Sequence, residues 1–406
     1  MTTQATKPKR THLLKEVFYK SLFCFFVVLI TKSLPGDLLH FFENLNPLSN
    51  KIEDFQLSDL CFAYYHHQVL PDTNIFIFNR GNTDNYTMAE QLSLIERFKP
   101  RAIGIDLIFH SYVKERDLKL IDTINKYKGN IVLSASVDPG QSINTRDSPF
   151  YKTMIDSNDG NGAYNWGYLK AEEGNMTRRY FEPHLFIESD TFDAFNLSIL
   201  KIGHDSSWRY LQRRDNDKEL INYHRAFQDE PRYTIFDHFP ADSNSVTGRI
   251  ILFGSVDSSC NDDRYYTPLN KQFGRSLPDM DGVEYHAQIL SMIINKDFID
   301  QPRTVAKYTL LFIFIFLFMF FFNWLFRFHH FYHFISDTFC LFILFPASVA
   351  LCSILLNRFR VMMEPTDYII PIFFSAVFLH LYEPFVKALS YIRNKINFKK
   401  PANEPK

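Results

Sequence analysis

The residues with chemistry to offer gather late in the chain, between Gly248 and Ala287. Asp257, Asp262 and Asp263 share one short loop, with Ser255 just before it, Thr267 just after it and His286 further on. Clustered oxygens of this kind suit a hard cation. An Asp-rich turn also caps its own amides, and that plainer reading is preferred, so no metal site is expected. Upstream, Asp106 lies inside an apolar run, Ala102 to Phe109. A carboxylate there has to be paired, hydrogen-bonded or protonated. In a doubly wound sheet the strand C-termini line the ligand crevice. Asp106, Gly254, Ser255, Asp262 and Asp263 are therefore candidate ligand-binding residues, the alternative for Asp106 being a cap on the loop that follows. His286 falls one turn into a helix that opens at Gly282. A helix-face histidine is ordinarily a packing residue, so Gly282 and His286 are read as coupling elements rather than catalysts. No Ser/His/Asp nucleophile elbow, phosphate-cradling glycine loop or His/Cys metal set occurs. Neither an enzyme nor a bound cofactor is expected.

The elements that must position these residues read as α/β. Continuous apolar strands are predicted at 74–79, 102–109 and 130–135, and again in the run that ends at Gly254. Between them lie amphipathic helices over 54–65, 88–98, 115–127 and 192–202, a short strand over 220–223, and the helix from Gly282. That alternation is the signature of a mostly parallel sheet covered by helices. Residues 138–180 are turn-rich and aromatic and receive no element. Sequons at Asn85, Asn175 and Asn196 matter only in a eukaryotic secretory pathway.

Composition divides the 406 residues. The net charge of −1 averages an acidic stretch, 35–305, against basic flanks, and the 43 phenylalanines concentrate towards the ends. A basic excess on the flanks rather than on the folded domain argues against nucleic-acid binding. Of the five cysteines, Cys61 and Cys260 fall in the acidic stretch. They form either one disulfide or two buried free thiols.

The flanks read as membrane. A basic tail, 1–16, precedes an apolar run over 17–34 with no small-residue cleavage site after it, which favours an uncleaved signal anchor. Further spans are predicted at 308–326, 335–356 and 368–385, before a basic tail over 386–406. Nineteen residues of helix at 308–326 reach about 28 Å, enough for a bilayer core. His380 and Glu383 lie near the exit of the last span and read as snorkelling residues. Basic tails at both ends place the termini in the cytoplasm and residues 35–305 outside, with four transmembrane helices as an all-α unit.

With these residues in place the layout resembles the second class of CHASE domains, extracytoplasmic sensors associated with cyclases and histidine kinases. The likeness rests on Asp59 with Phe62, Ala102 to Asp106 with Phe109, and Asp117. It continues in Asn222-Tyr223, Phe253-Gly254-Ser255, Asp262 or Asp263 ahead of Thr267-Pro268, and Gly282-Val283 ahead of His286-Ala287. It extends over about residues 17–385. Departures are Asn79-Arg80 where the family usually has an acidic residue, and the turn at Gly81 to Tyr86 in place of a Trp/Pro/Arg-containing one. A basic tail also stands where a cytoplasmic effector usually follows. The resemblance implies a sensor in a bacterial inner membrane that signals through its transmembrane helices to a separate cytoplasmic effector or envelope partner, possible homo-oligomers included. The competing expectation is a structural or assembly subunit whose outer domain docks a protein.

Overall fold

The computed structural model describes residues 10–32, 56–137, 148–157, 164–170, 177–187, 190–227, 246–256, 263–271, 278–325, 333–365, 367–368 and 381–393. They fall into two compact units, Phe62–Asp300 on one hand and Met1–Cys61 with Gln301–Lys406 on the other. Helix α1 (Arg10–Lys32) and the short α2 (Leu57–Leu60), which widens into a π-turn over Cys61–Tyr65, open the chain. Then come β1 (Ile75–Asn79), α3 (Asn85–Arg97), β2 (Ala102–Asp106), α4 (Lys114–Tyr127) and β3 (Ile131–Val137). Next are α5 (Pro149–Asp156), β4 (Asn165–Lys170), β5 (Tyr180–Phe181), β6 (His184–Ile187) and β7 (Asp190–Asp193). They are followed by α6 (Phe195–Ile202), α7 (Ser207–Arg214), β8 (Glu219–Leu220), β9 (Ile250–Gly254), β10 (Arg264–Tyr265) and β11 (Met280–Asp281). Three long helices close the sequence of elements: α8 (Gly282–Asn295), α9 (Thr304–Leu325) and α10 (His333–Phe359).

In the unit Phe62–Asp300 a five-stranded sheet runs in the order β1-β9-β2-β3-β4, every pairing parallel. The last long strand is thus inserted between the first two. Side chains alternate across a strand, which splits the core in two. Phe76, Phe78, Ile103, Ile105, Ile131, Leu133, Ile251 and Phe253 pack with the apolar faces of α3, α4 and α5. The other face carries α6 and α8. Gly104 makes room for α6: a Cβ there would lie 2.4 Å from Ile199 Cδ1 and 3.0 Å from Phe195 Cζ. Asp106, two residues on, projects to this second face.

Local chemistry sets the element ends. Asp84 caps α3 by accepting from the Thr87 amide at 2.8 Å, so the helix starts three residues earlier than its apolar spacing alone predicts. Asp117 accepts from the Val113 amide at 2.7 Å and the Asn85 amide group at 2.8 Å, fixing the start of α4. The region 138–180, given no element from sequence, holds α5 and β4. Strand β2 stops at Asp106, so the carboxylate stands at the strand's end, not in its interior. Residues 190–193 are strand, and α6 starts only at Phe195. Asn85 and Asn196 are buried, which removes both as surface sequons. Cys61 is a buried free thiol; Cys260 and Asn175 lie outside the described residues.

In the other unit α1 packs on α9 through Phe18 and Phe25 against Phe312, with ring centroids 6.0 and 5.5 Å apart. Lys307 pairs with Asp367. Among the described residues α9 is the one helix long and apolar enough to cross a membrane, over Thr304–Phe321. Helix α1 covers most of the expected anchor but carries Lys15, Glu16 and Lys20 in its first half. The run expected at 335–356 lies within α10, whose shorter apolar stretch is Pro346–Phe359. The run expected at 368–385 falls largely outside the described residues. Among the described residues one of the four expected spans meets both the length and the apolarity of a membrane helix.

Candidate functional site

Parallel pairing puts Asp106 and Gly254 side by side at the C-terminal ends of β2 and β9. The exit of β9 is held from the neighbouring strand: Asn79 accepts from the Val256 amide at 3.0 Å and donates to the Val256 carbonyl at 3.2 Å. Helix α8 then starts over these ends. Asp281 and Glu284 form a capping box, the Glu284 carboxylate accepting from the Asp281 amide at 3.3 Å. This S/T/D-x-x-E pattern was readable in the sequence, and Asp281 could have been found from it.

The first residue of α8 is where the site converges. A Cβ at Gly282 would lie 2.7 Å from Asp263 Oδ1 and 3.2 Å from Asp106 Oδ2. Two carboxyl groups therefore straddle one glycine, and no larger residue fits there without moving them. His286, one turn along α8, points its Nε2 at Asp106 Oδ1 across 3.7 Å, too far for a hydrogen bond. Its Nδ1 is 2.9 Å from Asn196 Oδ1, and Asn196 in turn donates to the His286 carbonyl at 2.8 Å. Because that amide oxygen can only accept, Nδ1 carries the proton and Nε2 is left as an acceptor. Both Asp106 Oδ2 and His286 Nε2 are buried with no hydrogen-bond partner among the described residues.

Electrostatics follow from burial. Desolvation, then the Asp263 carboxylate, push the Asp106 carboxyl well above the usual range. Desolvation, then Asp281, push Asp263 up to about 7. Desolvation and the nearby Arg178 guanidinium pull His286 down to about 3. The N-terminus of α8 works the other way on the carboxyls, but such an end contributes about 0.3–1 kcal/mol, whereas burying an ion costs several kcal/mol. Desolvation wins. Around the cluster, Arg264 Nε pairs with Asp281 at 3.3 Å and the Arg178 guanidinium lies 5.0 Å over the Tyr265 ring. Tyr285 and Phe195 meet the imidazole edge-on at 5.2 and 5.0 Å. A cavity of about 60 Å³ is lined by His286 together with Arg178, Tyr265, Tyr285 and Asn196 among others.

Of the sequence-derived candidates, the structure brings together Asp106, Gly254, Asp263, Gly282 and His286. Ser255 follows Gly254, half-buried, in the loop that leaves the strand, and Asp262 lies outside the described residues. His286 proves to be part of the cluster as well as a packed residue. Sequence reasoning missed Arg178 and Asn196, which come from segments distant in the chain, and Arg264 and Tyr265, which directly follow Asp263. Among the described residues no three carboxylate, imidazole or thiol groups converge as a metal site.

Comparison with protein families gives the CHASE2 domain, matched over residues 72–323, which takes in the whole sheet, α8 and most of α9. Comparisons with curated proteins and with solved structures returned no match. CHASE2 domains are extracytoplasmic sensor domains of membrane proteins, and the apolar α9 begins inside the matched region. With more than half of its length in that match, a parallel sheet as its core and a candidate span attached, this chain belongs to the CHASE2 domain family.

Proposed function

We propose that the chain is a membrane-anchored sensor module. Its outer domain receives a stimulus at the ends of β2 and β9 and passes a conformational change along α8 into the membrane helices, for a separate partner protein to read. The observation that carries this is the Asp106–Asp263 pair straddling Gly282. A change in charge or occupancy at those carboxyls acts directly on the first turn of a helix, and α8 ends at Asn295, only a short connection before α9 starts at Thr304. A shift of about 1–3 kcal/mol between two arrangements is enough for such coupling.

The reading includes the topology: residues 35–305 outside, four spans, both tails in the cytoplasm of a bacterial cell. Support comes from the basic flanks and from helices over 10–32, 304–325, 333–359 and 381–393. Single cysteines introduced at His110 and at Lys399 in a chain cleared of its own cysteines test it. A membrane-impermeant maleimide should label the first in intact cells and the second only after lysis; labelling of both in intact cells would overturn the topology. The signalling step is tested by spin labels on α8 and α9 of the full chain in nanodiscs. The interlabel distance should change with conditions in wild type and be fixed in Asp106→Asn. One invariant distance, together with stoichiometric co-purification of a partner protein, would favour a docking subunit instead.

A further inference from the structure

Two carboxyl groups, Asp106 and Asp263, flank Gly282 at the start of α8, and the N-cap Asp281 acts electrostatically on Asp263. The charged and titratable groups facing them are few. Arg264 on β10 pairs with Asp281 at 3.3 Å, and Arg178 lies over Tyr265. His286, Tyr285 and Glu284 come from α8 itself, and Tyr265 from β10. None of these is a cation placed against the Asp106 carboxyl: the imidazole across from it is held with its bare nitrogen inward by Asn196. The two orphan atoms, Asp106 Oδ2 and His286 Nε2, are both acceptors when Asp106 is ionised. A buried site made of acceptors alone calls for a donor of positive charge. The two carboxyls already occupy the place of a Cβ at Gly282, and among the described residues no three groups converge as a metal site; a proton needs no such space and supplies the missing donor.

We propose that this cluster is a proton-binding site and that the proton is the stimulus: protonated, Asp106 and Asp263 close over Gly282 and hold the first turn of α8 on the sheet; deprotonated, they repel each other and release it. This deepens the sensor reading and rests on it. The carboxyl proton leaves to bulk water, while Asn196 keeps His286 Nε2 as an unprotonated acceptor 3.7 Å from Asp106 Oδ1. At about 60 Å³ the cavity has space for about two waters. The upward displacement of Asp263 to about 7 puts the transition in a physiological window.

The test is hydrogen exchange by mass spectrometry on the full chain in nanodiscs between pH about 5.5 and about 8, corrected for intrinsic exchange rates, with the distance between spin labels on α8 and α9 read in parallel. Peptides covering residues 282–286 should lose protection about tenfold as the pH rises, with a midpoint near the Asp263 value. Asp263→Asn and Asp106→Asn should each keep the protected state throughout, while peptides of β2 and β9 stay unchanged as a folding control. If Asp106→Asn does not fold, the half-buried Asp263 decides the matter alone. A flat wild-type profile, or an unaltered midpoint in Asp263→Asn, overturns the proton site and leaves the sensor reading standing. A pH transition at 282–286 with a fixed interlabel distance supports the proton site and overturns the coupling instead.

Discussion

Nε2 of His286 stands 3.7 Å from Oδ1 of Asp106, and the two do not make an ion pair. Both side chains are buried. Separating charge there would cost several kcal/mol per ion, and among the described residues no hydrogen bond reaches Asp106 Oδ2 to offset it. Burial instead drives the acid up and the base down, so each side chain is pushed towards its neutral form. For the carboxylate that looked out of place in an apolar strand, burial favours the protonated form.

Asp117 shows the contrasting solution. Burial raises its pKa, but hydrogen bonds from Arg116, Val113 and Asn85 outweigh it and hold the group low. Asp117→Ala should therefore cost about 2–3 kcal/mol, because it orphans a backbone amide and a buried side-chain amide. Asp106→Asn, which removes no hydrogen bond, should stay within about 0.5 kcal/mol or be more stable than wild type. Thermal unfolding of the full chain distinguishes them; equal losses would show that Asp106 has a partner after all.

The pH dependence has two opposing parts. Asp263 is raised to about 7 in the fold, so its contribution is complete below its unfolded value of about 3.9 and is lost as pH rises through about 7. His286 is lowered to about 3, so its contribution is present above about 6.5 and lost as pH falls towards that value. Wild type should show a muted profile. Asp263→Asn should gain on it by about 1–4 kcal/mol between pH about 4 and about 8, and His286→Gln should gain on it only towards the acid end. Chemical denaturation at a series of pH values checks both signs.

Asn196 sets the imidazole tautomer, and replacing it should move the histidine. In Asn196→Asp a carboxylate would face Nδ1–H and favour the imidazolium. The proton affinity of His286 should rise roughly ten- to a thousandfold, read from the imidazole ¹⁵N shifts of labelled protein. An unmoved titration would mean that Asn196 is not the controlling contact.

At Gly282 two effects compete. Alanine favours a helix over glycine by about 1 kcal/mol, but its methyl would enter the space between Asp263 and Asp106. Overpacking of this kind costs about 1–3 kcal/mol, so Gly282→Ala should be destabilising. The loss should shrink in an Asp263→Ala background, where the nearer oxygen is gone. Additive losses in that double-mutant cycle would place the strain elsewhere.

The parts legible from sequence share one property, a strong local signal. β1, β2, β3 and β9 are near-continuous apolar runs, and α3, α4 and α8 have clean helical spacing. β4 escaped because it lies at the sheet's edge, where Asn165, Trp166, Gly167 and Tyr168 interrupt any aliphatic run. Asp106, Asp263, Gly282 and His286 were legible as candidates because polar groups beside apolar strand ends stand out. Their meeting point was not, since it depends on β9 entering between β1 and β2. Asn196 was hidden for a different reason: its sequon pattern points to the surface, while the side chain is spent on His286 in the interior. In the membrane part, α1 starts at Arg10, seven residues before the apolar run over 17–34, and so takes in Lys15 and Glu16 as well as Lys20.

The position of β9 also governs time. Residues 250–254 fill the gap between strands that emerge at 75–79 and 102–106, so the sheet stays split in two until nearly the whole outer domain has been delivered. Such distant pairings fold slowly. During export β1 would wait with an open edge for a partner still to be synthesised, a state in which the nascent chain is exposed to mispairing. The strand that completes the sheet is also the one that places Gly254 against α8, so α8 cannot seat on the sheet until that last strand is in place.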